Sequence, residues 1–124
     1  MASVLVVDND SITRGQYIAS LQQAGHLVAA SNSAQAALDA IEELKPDIVI
    51  LDIVLSVHNG ITVLYEMMSY ADWSRIPVII LSSIPKADFA NSDDIWKRLN
   101  VVSYCHKSTT RPAQLADIVS EQIK

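Results

Sequence analysis

Five short apolar runs, separated by segments with helical spacing, constrain the fold of this chain more than any other feature. The runs are rich in β-branched residues, show no polar alternation, and span residues 4–7, 27–30, 48–51, 78–81 and 101–105. Continuous runs of this kind are typical of strands that are covered on both faces, as in a parallel sheet. Because parallel strands need crossover connections, the order βαβαβαβαβα predicts a doubly wound α/β sheet with helices on both faces.

The segments between the runs carry apolar residues at helical spacing. In the first, Tyr17, Leu21 and Ala24 form a stripe that stops at Gly25, which favours a left-handed C-cap there. In the second, Asn32 and Gln35 resemble a capping box that opens a helix, and Lys45-Pro46-Asp47 ends it. The remaining helices are predicted at residues 61 to about 71, at 94–99, and from 112 onward.

Length and composition restrict the class of protein. The 124 residues suffice for one domain, 1–124, with 50% hydrophobic and 19% charged residues, which fits a globular protein. The net charge of −5 offers no basic footprint for nucleic acid. No run approaches a membrane span and no leader-like start is present, so we expect a cytoplasmic protein with no membrane contact. The lone Cys105 lies at the end of the apolar run 101–105, which indicates a buried thiol.

Polar side chains follow four of the five predicted strands, at the carboxyl ends where doubly wound sheets bind ligands. Asp8-Asn9-Asp10 follows the first strand, and Asp52 follows the third. The fourth strand ends at Ser82-Ser83, and the fifth leads to Lys107. Each residue alone is more typical of a turn or a helix cap, but together they share one edge of the sheet.

The combination of these groups indicates a particular chemistry. Two carboxylates in one cleft repel each other, and burial adds a desolvation cost, so such a pair is kept when a cation neutralises it or when one carboxylate is protonated. Only oxygen ligands are available, which favours Mg²⁺. A lysine ammonium and a serine hydroxyl beside a carboxylate can surround a phosphoryl group. The sequence therefore predicts phosphoryl transfer to an aspartate.

The chain resembles the receiver domain of two-component response regulators. The matching motifs are VLVVDND with the following SITR, DIVILDIVLSVHNG, IPVIILSS and SYCHK, in the order and near the spacings of that family. The resemblance covers essentially the whole chain. It implies a flavodoxin-like fold, with a five-stranded parallel sheet of order 2-1-3-4-5 and five helices.

The resemblance also implies roles for individual residues. Asp52 corresponds to the phosphoacceptor. The Mg²⁺ ligands would be the side chains of Asp8, Asn9 and Asp52 and the backbone carbonyl of Val54.

Three further residues match the remaining functional positions of the family. Lys107 corresponds to the lysine that assists phosphoryl transfer, Ser82 to the switch hydroxyl and Tyr104 to the switch aromatic. Ser82 would move to the phosphoryl group, and Tyr104 would turn inward.

The implied function is signalling, without turnover of an external substrate. A sensor histidine kinase or phosphotransfer protein would donate the phosphoryl group, and the domain would catalyse only its own phosphorylation. Output would pass through the face made by the fourth helix, fifth strand and fifth helix, to an effector domain or a downstream protein. A second copy of the chain is an alternative partner, through a homodimer formed by the fourth and fifth helices.

Three departures from the family pattern support a second interpretation. Asn9 replaces a carboxylate ligand and should weaken metal binding. Ser56 and Ser108 stand where prolines are usual, and without that proline the peptide before Ser108 is expected to be trans, because a cis bond there costs about 2.5–4 kcal/mol. These departures favour a pseudo-receiver that binds partners without phosphorylation.

A third interpretation is a phosphatase of the haloacid dehalogenase kind. VVDNDSIT places Asp8 and Asp10 two residues apart, as in the nucleophile motif of that class. The match fails at Ile12, where Thr or Val is expected, and the acidic pair at 93–94 precedes Lys107 instead of following it. It also leaves Asp52 without a role, and Asp10 is better explained as the cap of the first helix.

Overall fold

The five apolar runs form one parallel sheet in the computed structural model, which describes residues 2–54, 60–84 and 93–123. The strands are β1 (Ser3–Val7), β2 (Leu27–Ser31), β3 (Ile48–Leu51), β4 (Val78–Ser82) and β5 (Val101–His106). Their order is β2-β1-β3-β4-β5, and every neighbouring pair is parallel. The predicted doubly wound sheet of order 2-1-3-4-5 is confirmed.

Helices cover both faces of the sheet. They are α1 (Ser11–Gln23), α2 (Ala34–Leu44), α3 (Gly60–Met68), α4 (Asp93–Arg98) and α5 (Pro112–Gln122), with a short 3-10 helix at Trp73–Arg75. The core on one face joins α1 and α5 to Val4 and Val6. The core on the other face joins α2, α3 and α4 to Leu5 and Val7. None of the helices in the described ranges combines the length and apolar character needed to cross a membrane.

The ends of α1 follow the sequence prediction. The Asp10 side chain accepts hydrogen bonds from the backbone N–H groups of Ile12 (3.1 Å) and Thr13 (3.3 Å), as an N-cap does. Beyond the helix, Gly25 adopts a φ of 94°, which glycine reaches without steric cost. Ala24, the third residue of the predicted stripe, is exposed because α1 ends at Gln23.

The predicted N-cap of α2 is wrong by one residue. Ser33, not Asn32, accepts the hydrogen bond from the Ala36 N–H, at 3.2 Å. Gln35 instead donates to Asp39 along the helix surface, at 3.0 Å. Both Asn32 and Ser33 are good capping residues, so local sequence did not distinguish them.

The predicted α3 is too long at its C-terminal end. The helix ends at Met68, where the Ser69 hydroxyl donates to the Tyr65 carbonyl (3.0 Å) and the Ser69 N–H donates to the Glu66 carbonyl (3.0 Å). This side-chain bond and the tighter backbone bond replace the helical pattern.

Burial agrees with the strand prediction in the central strands β1, β3 and β4, but not in the two edge strands, β2 and β5. β3 and β4 are buried throughout, but β2 lies at the edge of the sheet, and its first residue, Leu27, is 64% exposed. Cys105 on β5 is buried, as the sequence indicated. Trp96 of α4 is also buried, in the core with α2 and α3.

Candidate functional site

Backbone hydrogen bonds extend the sheet by one residue at its carboxyl edge and so place the polar residues. The Asp8 N–H donates to the Ser31 carbonyl (3.1 Å), and the Asp52 N–H donates to the Val7 carbonyl (2.9 Å). The Lys107 N–H donates to the Ser82 carbonyl (2.8 Å). The ends of β1, β3 and β5 therefore converge at one edge, as the strand order requires.

Two buried carboxylates meet one ammonium group at this edge. Asp8 and Asp52 are 2% and 4% exposed. Lys107 Nζ lies 2.8 Å from Asp52 Oδ2 and 2.9 Å from Asp8 Oδ2. The lysine thus bridges the two carboxylates and neutralises part of their charge, which is the arrangement that buried acids need.

The other carboxylate oxygens are held by backbone N–H groups. Asp8 Oδ1 accepts from the Asp10 N–H (2.9 Å), and Asp52 Oδ1 accepts from the Val54 N–H (3.0 Å). These bonds fix the orientation of both side chains. Asp10 is committed to the N-cap of α1, as expected.

The pKa values of Asp52 and Lys107 are both raised, for different reasons. Burial raises the pKa of Asp52 above its ordinary value, and the hydrogen bonds from Lys107 and the Val54 N–H only partly offset this. Burial alone lowers the pKa of the Lys107 ammonium, but its bonds to Asp52 and Asp8 outweigh burial and raise the pKa overall. Lys107 therefore stays charged. The ionised form of Asp52 is less favoured than the ionised form of a solvent-exposed aspartate.

The site offers fewer carboxylates than a full acidic triad. Asn9, which the resemblance implies as a ligand, is exposed and carries no charge, and across the described ranges no group of three or more His, Cys, Asp or Glu side chains could hold a metal. Asp8 Oδ2 is nevertheless buried and has no hydrogen bond of good geometry from the described residues, although Lys107 lies close to it. Carboxylate, amide and carbonyl oxygens suit Mg²⁺, so the residues fit that ion, although the ligand set carries less negative charge than one with three carboxylates.

The two predicted switch residues, Ser82 and Tyr104, meet at the backbone of Ile84. Ser82 is fully buried at the end of β4, and its Oγ accepts from the Ile84 N–H (3.1 Å). The Tyr104 hydroxyl donates to the Ile84 carbonyl (2.6 Å). The Tyr104 ring is half-buried against Trp96 of α4, with ring centroids 5.8 Å apart. A displacement of Ser82 would therefore reach Tyr104 and α4 through one residue.

Comparison with known proteins identifies the family. The sequence profile of the response regulator receiver domain matches residues 4–117. The chain belongs to the response regulator receiver domain family. Receiver domains of this family act in two-component signalling.

Individual relatives agree with this assignment. The receiver domain is 29% identical to protein PilH of Pseudomonas aeruginosa over 119 residues, covering 95% of each chain. It is 27% identical to the transcriptional regulatory protein AfsQ1 of Streptomyces coelicolor, covering 92% of this chain but 46% of that protein. The chemotaxis protein CheY4 of Vibrio cholerae shares the fold, with a TM-score of 0.84 at 21% identity and 98% of each chain covered.

Among the departures from the family pattern, the structure describes Asn9 and Ser108, whereas Ser56 lies outside the described residues. The peptide between Lys107 and Ser108 is trans, as expected without proline. Lys107 still reaches both carboxylates. The Ser108 hydroxyl and N–H both lie beside His106 Nδ1, at 2.6 and 3.1 Å, which stabilises the turn after β5.

Two contacts in the receiver domain were not predicted. The Arg14 guanidinium donates to the Asp8 carbonyl and ties α1 to the site. The position of Arg14, on the first turn of α1 after Asp8, was the available signal. The Ile84 backbone links Ser82 to Tyr104, and no side-chain signal could have indicated it because any residue offers the same backbone groups.

Proposed function

We propose that this receiver domain accepts a phosphoryl group on Asp52 and thereby changes its protein-binding surface. The observation that carries the proposal is the contact of Lys107 Nζ with Asp52 Oδ2, at 2.8 Å in a buried site. We take residues 1–124 as the domain, since β1 starts at Ser3 and α5 ends at Gln122.

The proposed reaction is an in-line displacement at phosphorus. An Asp52 oxygen forms the new P–O bond while the bond from phosphorus to a kinase or phosphotransfer-protein histidine breaks, and the released imidazole retains the electron pair. Lys107 neutralises charge on the phosphoryl oxygens, because its ammonium already touches the attacking carboxylate. The domain acts once on itself and does not turn over an external substrate.

A bound Mg²⁺ would be held by Asp8, Asp52, the Asn9 amide oxygen and the Val54 backbone carbonyl. When bound, it would supply positive charge opposite the phosphoryl oxygens. Asp8 serves this site through its buried, poorly bonded Oδ2. Asn9 lowers the negative charge of the site, so we expect it to bind the ion weakly.

Output would use the residues that meet at Ile84. Movement of Ser82 Oγ to the phosphoryl group would release the Ile84 N–H, and Tyr104 would follow through its bond to the Ile84 carbonyl. Because Tyr104 packs on Trp96, the change would shift the α4-β5-α5 face toward a second conformation. An effector domain or a separate protein would bind that face; AfsQ1 is a transcriptional regulatory protein, and its matched region is under half of its length.

Intact mass spectrometry tests the proposal. The native protein is incubated with a small-molecule phosphodonor and Mg²⁺, beside the Asp52→Asn variant. We expect the wild type to gain one phosphoryl group and the variant none. Equal gain in both proteins would contradict the assignment of Asp52.

The pseudo-receiver is the second candidate, and Asn9 favours it because the site then lacks a third carboxylate. No gain of mass across a wide range of Mg²⁺ concentrations would support this silent version. The phosphatase alternative does not fit the family, and its second acid, Asp10, is occupied as a helix cap.

A further inference from the structure

A groove between α2 and α3 lies outside the Asp52 site. It consists of two adjoining cavities of about 270 and 360 Å³, which share Glu42, Tyr70 and Trp73. The groove follows α2 and reaches the segment that joins α3 to the 3-10 helix. None of its lining residues belongs to the phosphoacceptor site, so it can bind a ligand independently of phosphorylation.

Two aromatic rings form the wall of this groove. The Tyr70 and Trp73 centroids are 4.5 Å apart, with the ring planes tilted by 49°. Tyr70 is 51% exposed and Trp73 is half-buried, so both rings offer surface to solvent. Exposed Tyr and Trp side chains at the rim of a cavity are typical of residues that dominate binding energy at protein interfaces.

The rim of the groove is acidic. Its carboxylates are Asp39, Glu42, Glu66 and Asp72, and Lys45 is the one basic residue that lines the cavities. Asp39 accepts a hydrogen bond from Gln35 at 3.0 Å. The described part of the chain places no Lys or Arg within salt-bridge distance of these four carboxylates. Acidic residues alone would form a solvated face, but here they surround two exposed rings.

We propose that the α2–α3 groove binds a basic segment of a partner protein. An arginine or lysine side chain of that segment lies over Tyr70 and Trp73 and pairs with Glu42 or Glu66. Aromatic faces attract such cations, and charge-assisted bonds to carboxylates add to the attraction. The net charge of −5 favours the approach of a basic partner and disfavours nucleic acid.

The chemistry of the groove argues against an apolar occupant. An apolar helix would cover the unpaired carboxylates without replacing their water, which costs free energy for each group. A cationic side chain supplies the missing charge and also covers the rings through its stem.

The test uses a fluorescently labelled hexa-arginine peptide, with a labelled hexa-glutamate peptide as the charge control. Binding to the full chain is measured by fluorescence anisotropy. We expect Tyr70→Ser to weaken hexa-arginine binding by about fivefold, the loss of one cation–π contact. Tyr70→Phe, which keeps the aromatic ring, should bind hexa-arginine as the wild type does.

Matched controls separate the groove from the general charge of the protein. Glu42 lines the groove and Glu43 does not, and both are exposed on α2. Glu42→Gln should weaken binding, whereas Glu43→Gln should leave it within twofold. Tyr65→Ser is the corresponding control for Tyr70→Ser, since Tyr65 is 57% exposed on α3 outside the groove. Asp52→Asn should bind as the wild type does, because the groove acts independently of phosphorylation.

Three results would overturn the proposal. The first is an equal loss of affinity for hexa-arginine in Glu42→Gln and Glu43→Gln. The second is peptide-induced amide shifts in NMR spectra that map to the Asp52 site and not to Glu42 and Tyr70. The third is sedimentation showing that the free protein self-associates and that Glu42→Gln abolishes this, which would assign the groove to a second copy of the chain.

Discussion

Lys107 holds its ammonium 2.8 Å from Asp52 Oδ2, inside a site where the Asp52 side chain is 5% exposed. The same nitrogen lies 2.9 Å from Asp8 Oδ2. One lysine therefore offsets the repulsion between two carboxylates that arrive from different strands. The site consequently retains a single net negative charge before any divalent ion binds.

Lys107→Met is expected to lower the free energy of unfolding by about 1–3 kcal/mol, because two buried carboxylates then lack their shared positive charge and Asp52 loses a hydrogen-bond donor. Addition of Mg²⁺ should stabilise this variant more than the wild type, since the ion would restore positive charge between the carboxylates. Urea denaturation with and without Mg²⁺ measures both effects.

The matched control is Lys97→Met, which removes an exposed lysine from α4 and should change stability by less than about 0.5 kcal/mol. If Lys107→Met is as stable as the wild type at every Mg²⁺ concentration, the ammonium does not neutralise the pair.

Asn9→Asp is expected to tighten Mg²⁺ binding by about tenfold, because it adds a third negative charge to the ligand set. Calorimetric titration, or fluorescence of Trp96 and Trp73, gives the dissociation constants. Gln23→Glu adds the same charge at the far end of α1 and should leave the affinity unchanged. Equal affinity of Asn9→Asp and the wild type would show that residue 9 does not contribute to the ion site.

The sequence predicted the positions of the site residues better than the details of their contacts. Asp8, Asp52 and Lys107 were predicted to meet because apolar runs fix the strands and parallel topology brings strand ends to one edge. The N-cap of α2 and the C-terminal end of α3 were predicted wrongly, because local hydrogen bonds of Ser33 and Ser69 determine them. Burial of Asp52 beside Lys107 depends on the packed tertiary structure.

Asp10 should behave as a helix cap and not as a metal ligand. Asp10→Ala is expected to lower the melting temperature, because the Ile12 and Thr13 N–H groups lose their acceptor, whereas Asp10→Asn retains it. Neither variant should change Mg²⁺ affinity in titrations. Loss of Mg²⁺ binding in Asp10→Asn would show that Asp10 is a ligand of the ion.

The cap also predicts a pH dependence. Hydrogen bonds from Thr13 lower the pKa of the Asp10 carboxyl below its ordinary 3.8. The unfolded chain therefore binds a proton at higher pH than the folded protein does, and the ionised cap contributes stability above pH 3.8. That contribution is lost as the pH falls through the folded pKa. The wild type should thus melt at a higher temperature than Asp10→Asn above pH 3.8, and the two melting temperatures should converge as the pH falls below the folded pKa of Asp10.

Two glycines should respond oppositely to alanine. A Cβ at Gly60 would overlap the Asp52 carbonyl oxygen and lie 2.9 Å from Ile53 Cα, so Gly60→Ala should cost about 1–3 kcal/mol. Gly15 lies in α1 with no atom within 4 Å of such a Cβ, and Gly15→Ala should stabilise by about 0.5–1 kcal/mol. Denaturant unfolding measures both. A neutral Gly60→Ala would contradict close packing of α3 on the Asp52 backbone.

Chemical mapping of the phosphorylated residue tests the central claim most directly. The protein is phosphorylated with a small-molecule donor and Mg²⁺, the acyl phosphate is reduced with borohydride, and peptides are sequenced by mass spectrometry. Reduction converts a phosphorylated aspartate to homoserine. We predict homoserine at residue 52 and aspartate at residue 8. Homoserine at residue 8, or unmodified aspartate at both positions, would contradict the assignment of Asp52 as the phosphoacceptor.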